Sequence, residues 1–293
     1  MDGSRSLAMP ANLVAAAREQ GRAGWLETVA ATVASLERRW SLEVGAPFLP
    51  GGQTAWVAPA ERNGKAFVVK VLWRHPEAEH EADALRFWDG QGVVRLYDAW
   101  EVDAQTTALL LERCMPGSPL EELPAGEQDA VIGGLLRRLW KEPTAGHRFP
   151  PLAEMCDLWV DEFRQKAHEG RSPVDAGLAR EGMSLFRELP RTARRAVLLF
   201  TDLHAGNVLA AQRETWLAID PKPYVGDPTY DPLQHLLNCT DRLLVDPRRL
   251  ALSLAALLDL DPERLLLWLF ARCVLESPDS PALATPARLL APR

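Results

Sequence analysis

Phe200-Thr201-Asp202-Leu203-His204-Ala205-Gly206-Asn207-Val208-Leu209 is the stretch on which the reading of this chain turns. It sets an aspartate and, five positions later, an asparagine just after the apolar run Leu198-Leu199-Phe200, which anchors the loop in a core. A second acid, Asp220, ends the apolar strand Trp216 to Ile219 and precedes Pro221, 13 residues beyond Asn207 across a short hairpin. Asp, Asn and Asp in this order suit phosphoryl transfer, which asks for positioned phosphates, neutralised charge and an aligned nucleophile. Asp202 is then the catalytic base or hydroxyl-orienting group. Asn207 and Asp220 are oxygen ligands for magnesium on nucleotide phosphates. A bare Asp-x-x-x-x-Asn is short enough to be an ordinary turn, and a strand-ending Asp-Pro is usually one as well. The longer string and the spacing to Asp220 set this pattern apart.

Further upstream, Lys70 lies inside Ala66-Phe67-Val68-Val69-Lys70-Val71-Leu72. A lysine among such neighbours suits the α- and β-phosphates of a nucleotide, steadied by a glutamate on the next helix. Glu81 is the best partner, ahead of Glu77 and Glu79. An edge-strand lysine pointing to solvent is the competing explanation. Pro50-Gly51-Gly52-Gln53-Thr54 precedes the first strand of the hairpin. Gly51 and Gly52 let the backbone approach phosphates, although a plain loop is the more frequent explanation of two glycines and the stretch is neither a Walker A sequence nor a full G-x-G-x-x-G. Leu109-Leu110-Leu111-Glu112-Arg113-Cys114 offers backbone groups near Glu112 and Cys114 to an adenine, or is simply a buried strand.

Periodicity gives the organisation. Residues 11 to 40 are helical, with Leu26, Val29, Val33 and Leu36 along one packing face and Gly21 and Gly24 as points of division. Thr54 to Pro59 and Lys65 to Trp73 are strands around the Asn-Gly turn at Asn63-Gly64. A helix follows from Pro76 to Trp88, capped by Gly90, and then strands at Val93 to Trp100 and Thr106 to Arg113. Met115-Pro116-Gly117-Ser118-Pro119 is a linker, beyond which helices are expected at about 126–141, 152–169, 174–188, 232–238, 247–258 and 262–275. Short strands near 197–200, 206–210 and 215–219 carry the acids. The expected architecture is α+β: a small β-rich lobe over residues 1–114, a larger mainly helical lobe over 115–293, and a cleft at their join.

Composition narrows the function classes. The 293 residues are 47% apolar and 25% charged, as in ordinary globular proteins, and the net charge of −7 argues against nucleic acid and anionic membrane as partners. No run of about 18 uncharged apolar residues suggests a membrane span, and Pro10 and Asn12 interrupt the weakly apolar stretch Leu7 to Ala17, against a secretory signal. Cys114, Cys156, Cys239 and Cys273 form no CxxC motif and are expected to be reduced and packed in a cytoplasmic protein.

Taken together these segments resemble the aminoglycoside phosphotransferases, a branch of the protein-kinase-like fold, and within them the streptomycin 6-kinase and hydroxyurea phosphotransferase group. The resemblance rests on Thr201 to Leu209, on Ile219-Asp220-Pro221-Lys222-Pro223-Tyr224-Val225-Gly226-Asp227-Pro228, and on Tyr230-Asp231-Pro232, with support from Glu81-Ala82-Asp83-Ala84-Leu85 and Leu110-Leu111-Glu112. It spans roughly residues 45 to 240. It implies Asp202 as base, Asn207 and Asp220 on Mg2+, Lys70 and Glu81 at the phosphates of ATP, and a two-lobed fold. Phe200-Thr201-Asp202 stands where the wider pattern has His-Gly-Asp or His-Arg-Asp, and Asp220-Pro221-Lys222 where kinases have Asp-Phe-Gly. In kinases the replaced histidine and phenylalanine mostly support the site through packing, so activity is compatible with the change. Lys222 is read either as a phosphate neighbour or as a surface ion pair.

The acceptor implied first is a hydroxyl of streptomycin, a cationic aminoglycoside, with resistance or self-protection as the role. A kinase for hydroxyurea or another small metabolite is the alternative. A catalytically silent nucleotide-binding module is a third reading, opposed by the retention of Lys70, Asp202, Asn207 and Asp220. Glu154, Asp157 and Asp161 fall on one helix face and could orient a polycation, or be a solvated acidic face. Asp227 and Asp231 are further substrate candidates, with fixing of the backbone after Asp220 as their alternative role. A monomer is compatible with all of this, and the oligomeric state is left open.

Overall fold

The computed structural model describes residues 7–292, so the first six positions of the expected 1–114 lobe and Arg293 at the end of 115–293 lie outside the described residues. Two helices lead, α1 (Ala11–Glu19) and α2 (Ala23–Trp40), parted at Gly21 with φ +67° while Gly24 stays helical. Five antiparallel strands follow: β1 (Glu43–Val44), β2 (Ala55–Arg62), β3 (Lys65–Trp73), β4 (Leu96–Glu101) and β5 (Thr106–Glu112), in the order β1-β2-β3-β5-β4. Asn63 and Gly64 both take positive φ, as a two-residue hairpin turn requires. The helix expected from Pro76 to Trp88 is broken into a 3-10 turn, Pro76–Ala78, and α3 (Glu81–Trp88).

Strand alternation sorts the side chains. Phe67, Val69 and Val71 of β3 join Trp56, Ala58 and Ala60 of β2 and Ala108 and Leu110 of β5 in one core, closed by Trp25, Val29, Val33, Leu36 and Trp40 of α2. Full burial of such a side chain is worth roughly 1.5–3 kcal/mol. Lys70 has the opposite parity to Phe67, Val69 and Val71 and is kept off that core.

The remaining elements are mostly helical: α4 (Ala125–Leu139), α5 (Leu152–His168), α6 (Ala176–Glu188), α7 (Leu233–Asn238), α8 (Thr240–Val245), α9 (Pro247–Leu258), α10 (Pro262–Glu276) and α11 (Ala284–Leu290). Four three-residue strands lie between α6 and α7: β6 (Val197–Leu199), β7 (Val208–Ala210), β8 (Trp216–Ala218) and β9 (Tyr224–Gly226). The short strands β1 and β9 and the helices α8 and α11 were not expected from the sequence. Buried α10 is the centre of this part, with Trp268 meeting Phe186 and Tyr230 edge to face at ring separations of 5.6 and 5.0 Å. β6 pairs with β9 rather than with the β7–β8 hairpin, in the register Val197↔Gly226, Leu198↔Val225, Leu199↔Tyr224.

The chain divides into two compact units, one running to Gly117 and including Ala210–Leu217, the other made of Ser118–Leu209 and the residues from Ala218 on. The division differs from a break at 114/115 chiefly in the excursion 210–217, the tip of the β7–β8 hairpin. Among the described residues no helix is long and apolar enough to cross a membrane.

Candidate active site

The loop after β6 is set by its backbone. Thr201 has φ +56° and Asp220 φ +63°, left-handed conformations that cost a non-glycine residue about 1–3 kcal/mol each. Asp231 holds the first of them. Its carboxylate is fully buried and accepts from the Phe200 N–H at 3.1 Å, the Thr201 N–H at 2.7 Å and Trp140 Nε1 at 2.9 Å. Burial pushes the Asp231 carboxyl up to about 6, against the pull of those three donors. The Thr201 hydroxyl donates to the Lys222 carbonyl, and the Lys222 N–H to the Phe200 carbonyl at 3.1 Å. The segments entering and leaving the hairpin are thereby tied to each other.

Asp202, Asn207 and Asp220 come together on this frame. Asn207 Nδ2 donates to the Asp202 carbonyl at 2.9 Å and stands 3.5 Å from its Oδ2, while the Ile219 N–H donates to the Asn207 carbonyl at 2.9 Å. Burial raises the Asp202 carboxyl, Lys222 and His204 oppose that, and the charge of Asp220 adds to it. Lys222 Nζ lies 3.3 Å from Asp202 Oδ2, so its ion pair is made with the proposed base itself. His204 Nδ1 accepts from the Gly206 N–H at 3.2 Å, and burial holds the ring below its ordinary value. The donor set of Asn207 and Asp220 is all oxygen, which suits a hard divalent cation. The hydrogen bond from Asn207 Nδ2 leaves the amide oxygen for that role.

Of the acids considered for substrate, Asp157, Asp161, Asp227 and Asp231 all meet protein donors. Asp157 pairs with Arg187 and Arg191, and Asp161 with Arg164 and Arg187, in a network between α5 and α6 and the residues after α6. They do share a helix face, but their partners are protein arginines. Asp227 is buried and accepts from Arg264 Nε, from Trp268 Nε1 at 2.9 Å and from the Thr229 N–H at 2.9 Å. Asp231 thus fixes the backbone at Phe200 and Thr201, before Asp202, while Asp227 fixes that at Thr229, which lies after Asp220.

In the first unit Lys70 Nζ lies 2.7 Å from both carboxylate oxygens of Glu81, and both residues are buried, which decides against a solvent-facing lysine. Gly51 and Gly52 lie in the loop between β1 and β2. A Cβ on Gly51 would come within 2.4 Å of Pro10 Cβ, and the Gly51 carbonyl accepts from Asn12 Nδ2 at 3.2 Å, so packing against the leading segment accounts for this glycine. Gly52 has open space around it. The Glu112 N–H is taken by the Arg95 carbonyl at 2.9 Å and its side chain by Arg213. Burial pushes the Cys114 thiol up to about 12, keeping it a neutral packing group. All four cysteines are free.

Sequence reasoning gave no role to Trp140 or to the left-handed Thr201. No local signal marks either, since both act through a carboxylate far along the chain.

Comparison with known proteins follows the same lines. The model of the aminoglycoside/hydroxyurea antibiotic resistance kinase family matches residues 39–279. A hydroxyurea phosphotransferase of Kitasatospora aureofaciens is 38% identical over 78% of this chain and 68% of its own. A streptomycin 6-kinase of Streptomyces glaucescens is 34% identical over 79% and 75%. Among solved structures, a thermostable mutant of an aminoglycoside phosphotransferase in ternary complex with ADP and hygromycin B shares the fold with TM-score 0.56 at 12% identity, covering 88% of this chain and 97% of that one.

Proposed function

The chain belongs to the aminoglycoside/hydroxyurea antibiotic resistance kinase family, and from that premise we propose that it transfers the γ-phosphoryl group of ATP to a hydroxyl of streptomycin. The observation that carries the chemistry is the convergence of Asp202, Asn207 and Asp220 on one braced loop. In this reading Asp202 accepts or orients the acceptor hydroxyl's proton. Its neighbour Lys222 offsets the cost of a buried charge, and the Asp231 bonds fix the loop's direction. Lys70, steadied by Glu81, takes the α- and β-phosphates. Asn207 and Asp220 would hold Mg2+, which when bound neutralises phosphate charge. The acceptor is inferred from the relatives' names and from the fit between a polycation and a chain of net charge −7.

The test is the mass of streptomycin after incubation with the protein, ATP and Mg2+, with hydroxyurea in parallel. One added phosphoryl group on streptomycin is expected. Asp202→Ala should lower turnover by about 10²–10⁴ while nucleotide still binds. Turnover near wild type in that variant removes the mechanism. Phosphorylated hydroxyurea beside unchanged streptomycin moves the acceptor to the alternative. ATP binding without turnover on either compound would favour the silent module.

A further inference from the structure

β7 and β8 form a two-stranded sheet of three-residue strands, bridged at Leu209 to Pro119. An isolated two-stranded ribbon is marginally stable in water. Here it begins right after Asn207 and ends two residues before Asp220, so its two outer ends bear the proposed magnesium ligands. Its tip belongs to the first unit, where the Gly117 N–H donates to the Ala210 carbonyl at 3.0 Å, the Gly92 N–H reaches Glu214 Oε1 at 3.5 Å, and Arg213 makes several bonds at once. Arg213 Nε lies 2.9 Å from Glu112 Oε1 and Nη2 2.8 Å from Oε2, a bidentate pair. Nη1 donates to the Gly90 carbonyl at 2.6 Å and to Glu214 at 2.9 Å, and Nη2 to the Val93 carbonyl at 2.9 Å.

The partners are themselves fixed. Glu112 also accepts from the Arg95 N–H at 3.0 Å. Gly90 has φ +73°, and a Cβ there would lie 2.7 Å from Arg95 Cγ and 3.3 Å from Arg213 Nη2, so the glycine keeps the arginine's approach open. Burial alone would raise the Glu112 carboxyl; Arg213 and the Arg95 amide outweigh it and hold the group ionised. Acceptors from four residues around one planar fork suit arginine and no other side chain, because a lysine offers a single point of charge.

We propose that Arg213 is a positioning residue for magnesium-nucleotide binding: it clamps the hairpin tip to Glu112 and to the carbonyls of Gly90 and Val93, and so orders the strands whose outer ends carry Asn207 and Asp220. The proposal rests on the phosphotransferase reading. Arg213 is assigned no contact with substrate, metal or phosphate.

The experiment compares wild type with Arg213→Lys, Arg213→Ala and Glu112→Gln. It measures amide hydrogen exchange over 208–218, calorimetric binding of ATP at a series of Mg2+ concentrations, kcat at saturation, and the thermal midpoint. Arg213→Lys should speed exchange across the hairpin and raise the Mg2+ needed for half-maximal ATP binding by about 10-fold or more, the scale of losing a supporting partner behind metal ligands. Glu112→Gln should move both readouts the same way. Unchanged exchange in Arg213→Ala overturns the clamp. Faster exchange with wild-type Mg2+ dependence overturns the positioning role. A binding loss that is matched by a fall in thermal midpoint and disappears on cooling reduces Arg213 to a stability residue and likewise overturns it. If wild type itself binds no ATP with Mg2+, the phosphotransferase reading fails and the proposal with it, while exchange still reports whether Arg213 holds the hairpin.

Discussion

Replacing Lys70 and Glu81 singly and together separates what this pair does for stability from what it does for function. Both side chains are buried, with Nζ 2.7 Å from each carboxylate oxygen. Taking two charges from water costs several kcal/mol per ion, and their attraction repays that only while both are present. Lys70→Met leaves a carboxylate in the interior and Glu81→Leu leaves an ammonium, so each single change should cost about 3–5 kcal/mol. The double change puts two apolar side chains of similar volume where the pair stood. Such replacements are often neutral or stabilising by about 1–4 kcal/mol. The cycle should thus show a coupling of several kcal/mol, with the double variant more stable than either single one.

Function should follow the opposite course, because no apolar pair can bind phosphate. Urea unfolding measures the first quantity and calorimetric ATP titration the second. The double variant is expected to unfold near wild type and to bind ATP more weakly than wild type by a factor of 10 or more, the scale of a lost charge-assisted hydrogen bond. Two results would refute the reasoning. Losses that simply add would mean the pair is not coupled through burial. Wild-type ATP affinity in the well-folded double variant would mean that Lys70 is structural and the phosphates are held elsewhere.

Two further expectations concern the support of the site. Burial alone would lower His235, but its hydrogen bond to Asp129 at 2.9 Å prevails and pushes the ring up to about 9. The folded value lies above the unfolded one, so its stabilisation is complete below about pH 6.5 and is lost as pH rises through about 9. About 3 kcal/mol of unfolding free energy should disappear over that window. Asp129→Asn should flatten the profile, and an unchanged slope in that variant would assign the loss to other groups. A Cβ on Gly226, where β9 pairs with Val197, would lie 2.5 Å from Leu152 Cβ, an atom fixed to the α5 backbone. Gly226→Ala should cost about 1–3 kcal/mol in urea unfolding. A change below about 0.5 kcal/mol, the range of a neutral surface substitution, would show that β9 moves freely against α5.

The parts of the fold that could be read were those whose cause is local. The apolar run Ala66–Leu72, the Asn63-Gly64 turn and the apolar faces of α2 and α10 need only neighbours a few residues away. Lys70 was legible because an ammonium within that run demands a partner, and Glu81 because it stands in the middle of the helix expected from Pro76 to Trp88. β9 was not, because three residues carry no periodicity and its partner β6 lies 27 residues upstream. The left-handed Thr201 and Asp220 were invisible for a related reason. Neither is glycine or asparagine, so the conformation is imposed by tertiary bonds rather than invited by the residue.

The acids show the same limit in sharper form. Asp157 and Asp161 were correctly put on one helix face, yet the face alone cannot tell a substrate site from an ion-pair network. What the structure adds is the arginines at 187 and 191, on α6 and just after it, which between them pair with both. Asp231 reads as a ligand or as a strut until Phe200, Thr201 and Trp140 are seen to donate to it. Glu112 reads as the end of a strand until Arg213, 101 residues on, is seen to grip it. In each case the residue type and its spacing define a set of possible chemistries, and the donors that reach it from elsewhere select one. That is why a motif could single out Asp202, Asn207 and Asp220 together but could not say which other carboxylates the fold itself engages. The same reasoning directs the search for the acceptor site toward acids whose oxygens the fold does not already engage.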